Sequence, residues 1–123
     1  MYTPRQKGYL ITMTDRFYNA LGLARRAGKL SIGHDDVKMS VKSSKAKIII
    51  LTCDASERLH KEMINLSPSC EIIRVSASMD DMYQKIGKKS GIFSVHDEGL
   101  KTLVLSTIKE DSIYGKGQQI QGS

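Results

Sequence analysis

The segment Lys29-Leu-Ser-Ile-Gly-His-Asp-Asp-Val-Lys-Met-Ser-Val-Lys42 sets a histidine and two carboxylates behind a glycine and ahead of spaced lysines. Several chemistries use such residues. His34, Asp35 and Asp36 could ligate a divalent ion that activates water, with His96, Asp97, Asp54 and His60 as further ligands. They could equally open a helix, where first-turn carboxylates complement the backbone dipole. Asp54 follows the apolar run Ile-Ile-Ile-Leu-Thr-Cys, the strand-end position of a phosphoacceptor aspartate, and Cys53 beside it could be a thiol activated at a helix start.

These enzymatic readings lose support on context. His-Asp phosphohydrolases are longer and wholly helical, and the two His-Asp pairs here stand at different kinds of element boundary. In receivers the paired acidic residues end the first strand, whereas Asp35 and Asp36 follow a glycine turn, so Asp54 reads better as a helix cap. Cys53 reads as a small residue at a strand end. Gly87-Lys-Lys-Ser-Gly91 lacks the spacing of a phosphate-binding loop, and no Gly-rich nucleotide fingerprint occurs. No catalytic residue, metal site, cofactor or small-molecule substrate is expected.

The remaining chemistry is recognition of RNA. Lysines neutralise phosphates, while carboxylates accept hydrogen bonds from the amino and imino donors of cytosine and guanine. The competing reading is structural: Asp35 and Asp36 serve the helix dipole and the lysines solvate an outer helix face.

The elements that must position these residues can be read from periodicity. A helix from Thr14 to near Gly28 presents Phe17, Ala20, Leu21 and Ala24 on one face. Lys-Leu-Ser-Ile-Gly is a short strand. A second helix from Gly33 would bury Val37, Ser40, Val41 and Ser44 and turn Lys38, Lys42 and Lys45 outward. The run Lys47-Ile-Ile-Ile-Leu-Thr52 has the continuous apolarity of a central strand covered on both faces. Asp54-Ala-Ser-Glu57 has capping-box spacing before a helix carrying Leu59, Met63 and Leu66, which Pro68 ends. A strand Glu71–Val75, a capping box Ser78–Asp81, a helix carrying Met79, Met82, Tyr83 and Ile86, a strand Ile92–His96 and an amphipathic helix with Leu100, Leu103, Val104, Thr107 and Ile108 complete the series.

This alternation predicts an α/β fold, a three-layer α/β/α sandwich around a small four-stranded sheet. The sheet is expected to be mostly parallel, or mixed if the short first strand pairs antiparallel at an edge. Residues 13–110 are expected to form one domain, with 1–12 an N-terminal extension and 111–123 a flexible tail.

Nineteen Lys and Arg against 13 Asp and Glu give a net charge of +6, which suits a polyanionic partner. Two cysteines without a Cys-x-x-Cys pair suggest a reducing, cytoplasmic home. No apolar run has the length of a membrane span or a signal-peptide core, so neither secretion nor membrane insertion is expected.

Three linked segments, Leu21-Gly-Leu-Ala-Arg-Arg-Ala-Gly-Lys-Leu-Ser-Ile-Gly33, Asp35 through Ser56, and Tyr83 through Leu100, carry a resemblance. Over about residues 14–109 the chain resembles the kink-turn RNA-binding family of ribosomal proteins, the L-seven-Ae/L-thirty-e group, and its small bacterial YlxQ-type members. The resemblance implies the same sandwich, no enzymatic activity or cofactor, and binding to sharply bent RNA whose kink displays sheared G·A pairs. It places Gly33 at the glycine of the RNA-binding turn, with Asp35 and Asp36 where the family has Asn and Glu. It also matches the second contact surface to Gly87, Lys88, Lys89, Ser90 and Gly91.

Under this reading Lys29, Lys42, Lys88 and Lys89 meet phosphates, Lys38 adds charge, His34 contributes at the margin, and Asp35 and Asp36 contact base edges or shape the turn. The partner is structured RNA, a kink-turn or ribosomal RNA, with the ribosome as a possible setting. Met39 stands where the family has a lysine, and Ile32 where lysine often precedes the glycine. These departures favour the alternative of a protein-interaction module, on the ribosome or an RNA-processing complex, that keeps the fold without kink-turn recognition.

Overall fold

The computed structural model describes residues 13–116, with side chains through Ile108. These residues form α1 (Asp15–Arg26), β1 (Leu30–Ile32), α2 (His34–Lys42), β2 (Ile48–Leu51), α3 (Glu57–Leu66), β3 (Glu71–Arg74), α4 (Met79–Ile86), β4 (Ile92–Val95) and α5 (Glu98–Lys116). The expected extension 1–12 lies outside them. α5 continues past the boundary expected at 110, since no proline or glycine interrupts the chain between Gly99 and Gly115.

The sheet is mixed, in the order β1-β4-β2-β3. β2 and β3 pair in parallel, whereas β4 runs antiparallel to both β1 and β2. The mostly parallel arrangement is thus corrected and the mixed one, with β1 antiparallel at an edge, is correct. Alternation of strands and helices implied that every helix returns the chain to the start of the sheet. α4 does not: β4 begins at the end where β3 finishes.

The pleat divides the core. Ile48 and Ile50 of β2 pack with Phe17 and Leu21 of α1, Met82 of α4, Val104 of α5, and Phe93 and Val95 of β4. Ile49 and Leu51 face the other way, onto Val37 of α2 and Met63 of α3. All four residues of β2 and of β4 are buried, as a strand covered on both faces requires. Three layers result: α1, α4 and α5 on one face, α2 and α3 on the other.

α1 ends at Gly28, whose φ of 71° allows Gly28 N to donate to Arg25 O at 3.0 Å and Lys29 N to donate to Ala24 O at 2.9 Å. α2 ends in the same way, with Ser44 N donating to Val41 O at 3.0 Å and Lys45 N to Ser40 O at 2.8 Å. There the left-handed residue is Ser44, at φ 63°. Ser44 therefore lies beyond the helix and is exposed, not buried as its spacing suggested.

Two further expectations shift. α3 is capped by Ser56, whose Oγ accepts from Leu59 N at 3.1 Å, while Asp54 turns to another helix. Tyr83 is 59% exposed, because α4 is covered on one side only, through Met82.

Candidate nucleic-acid interface

β1, β2 and β3 all run the same way, so their carboxyl ends and the start of β4 share one edge of the sheet. α2, α3 and α4 begin at this edge; Ser56 and Ser78 cap the first turns of α3 and α4, whereas α2 starts at Gly33 with no side-chain cap for its first N–H groups. Gly33 makes the β1–α2 turn with φ 99° and ψ 160°, a combination open in practice only to glycine. Its N–H donates to Ile92 O at 3.0 Å, which ties the turn directly to the residue after the 87–91 loop. Two stretches nearly sixty positions apart in sequence become one edge.

The loop is shaped by its own small residues. Gly87 closes α4 in the left-handed conformation, at φ 79°. Ser90 Oγ donates to Ile92 O at 3.0 Å and accepts from Ile92 N at 3.2 Å, so this hydroxyl folds the loop. Gly91 O accepts from Thr52 N at 3.0 Å, and a Cβ at Gly91 would come within 3.4 Å of Thr52 Oγ1 and 3.5 Å of Ala55 Cβ. These are ordinary contact distances, so Gly91 lies against the β2–α3 loop without the space itself demanding a glycine. Lys88 and Lys89 remain as the exposed cations of the loop. Lys89 Nζ lies 3.1 Å from Asp80 Oδ1 in an exposed ion pair, while Lys88 has no ion-pair partner among the described residues.

On α2, His34 Nε2 lies 2.9 Å from Glu62 Oε2 on α3, and Lys38 Nζ approaches the same oxygen at 3.7 Å. The hydrogen bond with His34, reinforced by the charge of Lys38, holds the Glu62 carboxyl below its ordinary range. His34 and Lys38 therefore brace α2 against α3. Asp35 and Asp36 are exposed, with no hydrogen-bond or ion-pair partner among the described residues. Met39 is 68% exposed on the outer side of the helix.

The structure separates Lys29 and Lys42 from this edge. Lys29 precedes β1 at its opposite end, about 13 Å from Gly33 along the strand. Lys42 closes α2, about 13 Å along the helix axis from the turn. The grouping of these two lysines with the Gly33 turn is corrected: nearness in sequence to the turn did not mean the same end of the molecule.

Other residues build the edge without having been singled out. Arg74 Nη1 donates to Ala55 O at 2.7 Å, Thr52 O at 3.0 Å and Cys53 O at 3.4 Å, and so clamps the β2–α3 loop. Asp54 Oδ1 accepts from Met79 N at 3.1 Å, fastening that loop to the first turn of α4. These partners lie 19 to 25 positions apart, beyond any local pattern.

The competing chemistries also meet this geometry. His34-Asp35 and His96-Asp97 occupy opposite ends of the β1–β4 pair, too far apart to share one ion. Among the described residues no three His, Cys, Asp or Glu side chains come together as a ligand set. The Cys53 thiol is pushed above its ordinary value by burial and by Asp54 and Asp81, the opposite of activation. Among the described residues no helix is long and apolar enough to cross a membrane.

This sandwich recurs in solved structures. A Bacillus halodurans protein of unknown function superposes with a TM-score of 0.69 at 24% identity, over 78% of this chain and 99% of that one. The Giardia lamblia 15.5kD RNA binding protein superposes at 0.59 with 14% identity, over 79% of this chain and 85% of that one. The three-layer mixed α/β fold is therefore shared with both of these chains. No protein-family model matches the chain. Among curated relatives, the RNA-binding protein YlxQ of Enterococcus faecium is 35% identical over 82 residues, 66% of this chain and 80% of its own length. Its Bacillus subtilis counterpart is 27% identical over 97 residues, 75% of this chain and 94% of its own length. The chain belongs to the YlxQ family.

Proposed function

We propose that this protein is a non-enzymatic, cytoplasmic RNA-binding protein that docks a folded RNA on the edge made by the Gly33 turn, the first turn of α2 and the 87–91 loop. The observation that carries this reading is the 3.0 Å bond from Gly33 N to Ile92 O, which holds turn and loop as one surface. Both curated relatives bear the name RNA-binding protein, which supports the partner class. Lys88 and Lys89 supply phosphate contacts, and Asp36, a carboxylate in the first turn of α2, is the acceptor for a guanine edge at a kink.

The test is a titration of a kink-turn RNA and an unkinked duplex across salt concentrations. Lys88→Ala with Lys89→Ala weakens binding and makes the slope of log K against log salt shallower by about 2, near one unit for each phosphate that a lysine no longer neutralises. Preference for the kinked RNA supports recognition of the kink. Equal, weak and steeply salt-dependent binding of both RNAs sinks it.

A second reading, a protein-interaction module on the ribosome or an RNA-processing complex, is favoured by the charge of the same edge. Asp35 and Asp36 of α2, Asp54, Glu57 of α3, and Asp80 and Asp81 of α4 all lie there, against the two loop lysines and Arg74, which is 3.4 Å from Glu57. Met39, exposed where the family has a lysine, adds an apolar contact.

A further inference from the structure

The lysines that the structure removes from the Gly33 edge collect at the opposite pole. Lys29 precedes β1, Lys42 closes α2, and Lys45 and Lys47 lie in the turn leading into β2. None of the four has an ion-pair partner among the described residues, whereas nearby Lys101 is paired with Glu71 at 3.6 Å. Of the other carboxylates at this pole, Asp97 accepts from Leu100 N at 2.9 Å to cap α5, and Glu98 lies in the first turn of that helix. Both keep their negative charge, so the four unpaired lysines outnumber two unpaired carboxylates at this pole.

We propose that this pole is a second binding surface, taking the phosphate backbone of an RNA strand or helix on Lys29, Lys42, Lys45 and Lys47. Three observations support it. His96 N donates to Lys29 O and Lys47 N donates to Val95 O, both at 2.8 Å, so the two lysines flank the end of β4 from either side. With neighbouring strands about 4.8 Å apart, their backbones stand roughly 10 Å from each other, a span over which a duplex presents several phosphates. Lys45 is carried on a turn fixed by Lys45 N to Ser40 O at 2.8 Å and Ala46 N to Ser40 O at 3.1 Å, so its backbone is in place before a partner arrives. Finally, the His96 imidazole is held below its ordinary pKa by burial first and then by Lys45 and Lys29, so both lysines stand close enough to act on this ring. An acidic protein would find the same charge, but the name shared by both relatives favours RNA.

The surface does not require the Gly33 edge to bind, and one experiment separates the two. A plain RNA hairpin is titrated into the full chain and into Lys29→Gln/Lys45→Gln/Lys47→Gln, with Lys88→Ala/Lys89→Ala in parallel and circular dichroism melts as the folding control. The expected result for the triple variant is an unchanged melt and a salt slope shallower by about 2 to 3. NMR on the wild type reads the site directly: bound phosphates offset the lysine potential, so the His96 pKa rises toward its ordinary value on RNA addition. An unchanged slope in the triple variant, an unmoved His96 while RNA is bound, or a response to polyglutamate but not to RNA, overturns the proposal. Loss in the loop variant alone leaves the Gly33 edge as the binding surface and removes this one. Loss in the triple variant alone does the reverse.

Discussion

His96 shows how much of this protein's electrostatics rests on single side chains. Its Nε2 lies 2.8 Å from Ser31 Oγ and 3.5 Å from Ser94 Oγ, and Ser94 Oγ is itself 2.8 Å from Ser40 Oγ, a polar seam between α2 and the sheet. Burial is the main cause of its lowered pKa, with Lys45 from the α2–β2 turn and Lys29 from the start of β1 adding to it. The adjacent Asp97 carboxylate is engaged in capping α5. Above about pH 6.5 the ring is neutral in both folded and unfolded chains and costs nothing. As pH falls through 6.5 the unfolded chain takes up a proton that the folded one refuses, so stability declines until the lower, folded pKa is passed. Urea titrations from pH 7.5 to 5 should show this decline in the wild type and a flatter profile in His96→Gln. A parallel decline in both would assign the effect elsewhere. Sequence displayed His96 only as half of a His-Asp pair; its nearer serine partner, Ser31, lies on β1, 65 positions away.

At the scale of elements, pattern was a good guide wherever one helix or strand decides its own fate. The apolar spacing of α1, the four buried residues of β2 and the reciprocal capping box of Ser78 and Asp81 follow from local periodicity and local hydrogen bonds. It failed where an end is settled by what lies beside it. Asp54 has capping-box spacing but serves α4, because the carboxyl ends of β2 and β3 bring that helix start within reach. α2 stops at a left-handed Ser44, where a side chain normally costs about 1 kcal/mol relative to glycine. Ser44→Gly should therefore stabilise the protein by up to about 1 kcal/mol, seen as a higher urea midpoint at unchanged m. A lower midpoint would mean that the exposed hydroxyl contributes more than the backbone relief.

At the scale of the molecule, the sheet sorts charge between its ends. Three helix first turns gather carboxylates at the Gly33 edge, and the far ends of β1 and α2 gather lysines. The two poles are separated by about 13 Å of strand, more than the distance at which substitutions normally couple. Combining Lys45→Gln with Lys88→Ala should therefore add their separate losses in log K for a hairpin long enough to reach both ends. A combined loss well below the sum would mean that one contiguous surface had been cut twice. The sequence by itself determined the sandwich, the buried central strand, the basic balance and the glycine turn, because each depends on periodicity, composition or one residue's backbone freedom. Only the tertiary structure decided that β4 runs against its neighbours, that Arg74 and Asp54 tie the edge together, and that Lys29 and Lys42 stand apart from Gly33. Those outcomes depend on which ends of which elements meet, and the spacing of residues within single elements does not carry that information.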